Sequence, residues 1–364
     1  MRPEQGETPT GLAWKPDWDK ARAALTDWWA GKGLALHVTA PKDEPWEDIP
    51  HPGPAPNPEA FWADPTYRVR REMHRLANTF FGGVAAPMMN LDLGPGSLAL
   101  YMGCEPVFEE ETVWFEPVVQ DTENHPPFRF DPMNRWWLRH LEIYAEAQRH
   151  NNGWYLVGLP DLIENIDTVA QMRGSQQVVW DLVENPDWVE ARIRETNRAW
   201  FDAAERLFER VTDAWGGTAF PCFEIWGAGR TAKVQCDFGC MISPAMFRRF
   251  VAPSLAEQAA ALDNVLFHLD GTGAIPQLDN VLAIEGIRAV EWTPQFGQPW
   301  GGSPVWYDLY RRIKAGGKAV QAIFVEPAEV EPLIEAVGPE GLFVMCRAST
   351  EAEARDLLRR VGWD

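Results

Sequence analysis

The chain is short of positive charge: 33 Lys and Arg stand against 53 Asp and Glu, a formal net charge of −20. Nucleic acids and anionic membranes need a basic surface, so this balance argues against both as partners. It also disfavours a highly anionic substrate, unless a pocket is locally basic. No apolar run is long enough to cross a bilayer, and the N-terminus MRPEQGETPTGLAW has no apolar leader core. Cysteine is scarce too. Cys104, Cys222, Cys236, Cys240 and Cys346 make an odd set of five, which predicts reduced thiols and a cytoplasmic protein. No GxGxxG opens a helix and no GxxxxGK[ST] occurs, so the glycine-rich phosphate-binding turns are missing.

What is abundant is apolar material. Hydrophobic residues make up 46% of the 364, including 19 Trp. That is ample for a large core, and the tryptophan excess suits a pocket with flat apolar walls. The first 80 residues read as a helical and loop extension. Trp18 to Lys32 has helical spacing, Leu34 to Thr39 reads as a strand, and Pro41 to Pro58 carries seven prolines and reads as a loop. Asp64 and Pro65 open a helix to Asn78 as N-cap and first position.

From residue 153 the rhythm is regular. Strands at Trp154–Leu159, Thr218–Phe223, Val265–His268, Arg288–Trp292, Ala319–Phe324 and Leu342–Cys346 alternate with helical segments at 165–182, 186–213, 244–262, 273–284, 304–316, 327–337 and 350–361. Residues 224–237 read as a loop, and Ser349 as the cap of the last helix. Such alternation with short connections predicts parallel strands and right-handed crossovers. Several strands also stop at a chemically capable residue. That is the signature of a (β/α)₈ (TIM) barrel active site, so a single barrel domain over 1–364 is expected.

His268, Glu291 and Cys346 each end an apolar strand, and all three residue types can share one zinc ion. A rim histidine, a solvated acid and a buried thiol are the plainer alternatives. Asp270 lies two residues after His268 and shares its orientation if the strand persists; a turn cap beside Gly271 is the alternative. Asp237 and Glu224 are candidates for substrate contact and proton transfer. Asp161 follows another strand and is a candidate pocket residue. Tyr101, Trp114, Trp136, Trp226 and Trp292 are candidate apolar walls, with core packing as the alternative for each.

Four stretches, Gln235-Cys236-Asp237-Phe238, Met241-Ile242-Ser243-Pro244-Ala245-Met246-Phe247, His268-Leu269-Asp270-Gly271 and Trp292-Thr293-Pro294, resemble the uroporphyrinogen decarboxylase superfamily. With Ala86-Pro87, Leu93-Gly94-Pro95 and Trp114-Phe115, the likeness is to its decarboxylase-like and corrinoid-linked methyltransferase branch, from about residue 14 onward. The decarboxylases' N-terminal RQAGR-type motif is missing. The resemblance implies a barrel, zinc, methyl transfer between a small methylated substrate and a corrinoid protein or thiol, and a homodimer. It assigns His268, Glu291 and Cys346 to the metal. The family's first thiolate falls on Asp270, a departure that lowers the electron richness of the site. A metal-dependent lyase, decarboxylase or hydrolase, and a non-catalytic small-molecule-binding barrel, are the competing readings.

Overall fold

The computed structural model describes residues 11–363, so the leader expectation for residues 1–10 lies outside the described residues. Among the described residues, thirteen strands run in chain order: β1 (Leu34–Pro41), β2 (Thr79–Gly83), β3 (Met88–Met89), β4 (Glu105–Phe108), β5 (Val113–Glu116), β6 (Leu156–Val157), β7 (Gly217–Phe220), β8 (Ile225–Ala228), β9 (Thr231–Gln235), β10 (Asn264–Asp270), β11 (Ala289–Thr293), β12 (Ala319–Val325) and β13 (Leu342–Arg347). A central sheet of seven has the order β2-β1-β13-β12-β11-β10-β9. All of its neighbours are parallel except β2, which runs antiparallel to β1. β1 therefore belongs to the sheet, and the first 80 residues are not an appendage to it.

The ladders of this sheet do not close on themselves among the described residues. Single backbone bonds step onward instead: Val84 N–H to Leu36 O at 2.8 Å, Leu156 N–H to Pro87 O at 2.8 Å, and Leu159 N–H to Ala219 O at 2.8 Å. β3 pairs with β6 in parallel, and β7 pairs with β8 antiparallel.

Two cores follow from strand alternation. Val265, Phe267, Leu269, Val290, Trp292, Val320, Val344 and Cys346 are buried in one cluster with the surrounding helices. Leu266, Ala289, Ala319, Phe343 and Ala35 belong to the other, with N-terminal Trp18, Trp28 and Trp29. The register Gln235↔His268↔Glu291↔Gln321↔Phe343↔Ala35 places these six residues in one row on this second face. Polar side chains thus share a face that is otherwise apolar.

Helix starts follow local chemistry. Asp64 accepts from Tyr67 N–H at 2.7 Å ahead of the helix Pro65–Ala77. The last helix, Glu351–Val361, is capped by Thr350 and not by Ser349, its hydroxyl accepting from Glu353 N–H at 3.1 Å. Gly174, at φ +96°, splits the expected 165–182 helix into Asn165–Arg173 and Ser175–Glu184. The expected loop over 224–237 holds β8 and β9. β9 escaped detection because Lys233 and Gln235 interrupt its apolar pattern, and both point inward to bond one another. No described helix is long and apolar enough to cross a membrane.

Candidate functional site

The polar row is concentrated at the C-terminal ends of β9, β10 and β11. His268 Nδ1 bonds to Glu291 Oε2, and Thr293 Oγ1 donates to the other Glu291 oxygen at 2.7 Å. With Nδ1–H given to the carboxylate, the ring presents Nε2 as a free donor of electrons. Phe223 packs against the imidazole at 4.9 Å between centroids, and its backbone oxygen accepts from Gln321 Nε2 at 2.8 Å. Burial works against a charged His268, but the Glu291 carboxylate outweighs it and holds the ring above its usual value. Burial also pushes Glu291 up, with His268 opposing.

Around this pair, Asp237, His268 and Asp270 each offer a ligand atom, and those atoms lie within 4.8 Å of one another. Neighbouring side chains brace the cluster. Gln235 Nε2 donates to Asp237 Oδ2 at 2.8 Å and to Asp167 Oδ2 at 3.2 Å. Asp167 in turn accepts from the backbone N–H groups of Asp237 and Phe238, both at 2.8 Å, which fixes the turn after β9. Burial and the charge of Asp237 raise the Asp167 carboxyl. Beneath them Lys233 is fully buried, bonded to Asp161 Oδ1 at 2.7 Å and to Gln235 Oε1. Burial disfavours its ammonium, but Asp161 outweighs that and keeps it charged. Glu164 accepts from Gln235 N–H, and burial pushes it up to about 8, with Lys233 opposing.

Cys346 is not among these residues. Phe343, Met345 and Arg347 alternate onto the face of Glu291, so Cys346 falls on the opposite face, buried against the helices. Burial pushes its thiol up to about 12. The expected His268–Glu291–Cys346 set is therefore corrected: Asp237 and Asp270 stand where a thiolate was expected, and Glu291 holds His268 from behind.

The other candidates divide. Asp237 and Trp114 line an open cleft of about 410 Å³ with Phe115 and Met241. Asp161 and Glu224 line a second, of about 590 Å³, with Asp92 and Trp62. Glu224 sits at φ +54°, a costly conformation for a side-chain-bearing residue, and accepts from His37 Nε2 at 3.2 Å. Tyr101, Trp136, Trp226 and Trp292 are not walls but buried packing. Tyr101 bonds His140, and Trp136 Nε1 donates to Glu105 at 3.0 Å. Trp226 Nε1 donates to Asp213 at 2.7 Å. Trp292 follows the inward Glu291 and so faces outward, against Trp306. Sequence reasoning missed His37, Asp167, Lys233 and Gln235. The one available signal was a polar residue at alternate positions of an apolar strand, as at His37 and Gln321.

No family model matches this sequence, and no curated protein matches it. Among solved structures the chain is similar to a methyltransferase from Methanosarcina mazei, with a TM-score of 0.61 and 14% identity over 94% of this chain and 97% of that one. The mixed α/β fold, built on a largely parallel sheet, is shared with that protein over nearly the full length of both.

Proposed function

We propose that this chain is a methyltransferase-like enzyme of the uroporphyrinogen decarboxylase superfamily, built on a (β/α)₈ barrel whose remaining wall is β3, β6 and β7. The observation that carries this reading is the Asp237–His268–Asp270 cluster at successive strand ends, with Glu291 oriented behind the imidazole. Full-length likeness to a protein named a methyltransferase supports the reaction class.

One imidazole nitrogen and two carboxylate oxygens fit a catalytic zinc site with one position open, and a carboxylate on the histidine's other nitrogen is the usual outer support. Bound there, the metal would supply Lewis acidity toward the heteroatom that carries the methyl group. His268 would hold it through Nε2, and Asp237 and Asp270 through oxygen. Glu291 and Thr293 fix the ring's orientation. Gln235 and Asp167 fix Asp237 and its turn. Trp114, Phe115 and Met241 offer the apolar surface beside Asp237 against which the body of a small methylated substrate would lie. A corrinoid protein or a thiol would accept the methyl group at the exposed ends of the strands.

Elemental analysis tests this directly. One zinc per chain, lost in His268→Ala and in Asp270→Ala, is expected, together with corrinoid-dependent demethylation of methylated thiols, amines or aryl ethers. Wild-type protein that takes up no divalent metal would sink the mechanism. A second reading has its own support. The donor set contains no thiolate, because Cys346 faces away, and nitrogen and oxygen ligands suit a hydrolase or lyase equally well. Metal-dependent turnover that ignores corrinoid would decide for it.

A further inference from the structure

A cleft of about 660 Å³ at the same end of the sheet takes no part in that chemistry. It lies between the ends of β1 and β13, the helix Pro65–Ala77 and Glu224. Its charge runs against the composition of the chain. The whole protein is formally −20, yet Arg71, Arg75 and Arg347 line this cleft against Glu72 and Glu224. Glu72 is shared by two of the arginines, at 3.6 Å from Arg71 and 3.0 Å from Arg75. Glu224 is engaged by His37.

Arg347 is left without a hydrogen-bond or ion-pair partner among the described residues. It ends β13 on the inward-facing side, since Phe343, Met345 and Arg347 alternate onto the face of Glu291.

The cleft also has an apolar side. β12 bulges there, so that Ile323 and Phe324 together stand opposite Met345. Phe324 adopts φ +54° and keeps 52% of its surface exposed in the cleft wall, near Met345 and Phe81. The ring packs on one side against Trp300, at 5.1 Å between centroids, and the rest of it stays open to the cleft. A ligand lying on the open part of the ring would bury that remaining apolar surface.

We propose that this cleft binds a small organic monocarboxylate, its carboxylate on Arg347 and its apolar body on Phe324 and Met345. One uncompensated guanidinium matches one carboxylate, and a planar fork matches it in two hydrogen bonds. A phosphate dianion leaves one of its charges unpaired there. The site shares no residue with the Asp237–His268–Asp270 cluster and stands whether or not that cluster holds a metal.

Calorimetric titration of the full chain with benzoate, and with benzamide as its neutral counterpart, tests it. EDTA is present throughout, so that a metal cannot capture the carboxylate. Benzoate is expected to bind at least about tenfold tighter than benzamide, and tighter than inorganic phosphate. Arg347→Met should weaken benzoate by about tenfold to a hundredfold, and Arg347→Lys by less. Arg347 is exposed, so both variants should keep the wild-type Tm. If Arg347→Met does not fold, Arg347→Lys and the wild-type benzoate–benzamide comparison decide. Equal affinity for benzoate and benzamide, no benzoate binding under EDTA, unchanged binding in Arg347→Met, or phosphate binding more tightly than benzoate would each overturn the proposal.

Discussion

His268 is constrained on three sides: Glu291 at Nδ1, Phe223 against the ring, and the β10 backbone on which it is carried. Nε2 is left on the open side of the ring, so the Glu291 contact would govern how that nitrogen holds a metal. In a competition titration with a chromophoric chelator, Glu291→Gln should lower zinc affinity by about 10- to 100-fold, and His268→Ala should lose binding altogether. An unchanged affinity in Glu291→Gln would remove Glu291 from the site. Lys233 is the opposite case, a charge with no exposure whose partners are Asp161 and Gln235. Lys233→Met strands a buried carboxylate and should cost about 3–5 kcal/mol in chemical denaturation. Adding Asp161→Asn to that variant should restore part of the loss, and a strictly additive double variant would show that the two do not interact.

At the scale of elements, the critical joint is where β2 turns away from β1. Gly83 sits there at φ +64°, and a Cβ would lie 1.7 Å from Leu36 O. Neither the dihedral nor the space admits a side chain, and Leu36 O is the acceptor for Val84 N–H. Gly83→Ala should therefore destabilise by at least about 2–3 kcal/mol, measured as a lowered denaturation midpoint. Gly33, at φ +59° with open space around it, should tolerate alanine better, at the cost of its dihedral alone. Equal losses at the two positions would show that the contact with Leu36 O is not what matters. β9 carries the site through a different device. Its two inward polar residues make a stack from Lys233 through Gln235 to Asp237, so a short strand holds the turn that carries the Asp237 carboxylate.

For the whole molecule, stability should depend on pH through the buried acids under the site. Glu164 rises from an ordinary 4.5 to about 8 in the fold, mainly through burial. The folded state then holds a proton that the unfolded state releases above about pH 4.5. The stability from this group is fully present below that pH and is lost as pH rises through about 8. Denaturation of Glu164→Gln beside wild type should show a flatter profile across that window, because the amide cannot ionise. Parallel profiles would show that Glu164 does not titrate in the fold. A net charge of −20 adds a diffuse repulsion across the surface, which salt should screen.

The sequence by itself determined the strand–helix alternation, and with it the strand ends that carry the candidate site. Pattern and capping chemistry are local, and so β10, β11, β12 and β13 were legible, as were Asp64 as a cap and His268 and Asp270 as neighbours on one strand end. β9 was not, because an inward lysine and glutamine read as loop until their partners, Asp161 and Asp237, are known. Tertiary structure alone decided which face each strand end presents. Glu291 points inward beside His268 while Trp292, one residue on, is packed among helices. Cys346 is separated from the Asp237–His268–Asp270 cluster by the same alternation. Register between strands distant in sequence settles such parity, and no local pattern encodes it. The gathering of Arg71, Arg75 and Arg347 in one cleft of an acidic chain is likewise a property of the folded sheet, since it joins a helix near residue 70 to a strand ending at 347.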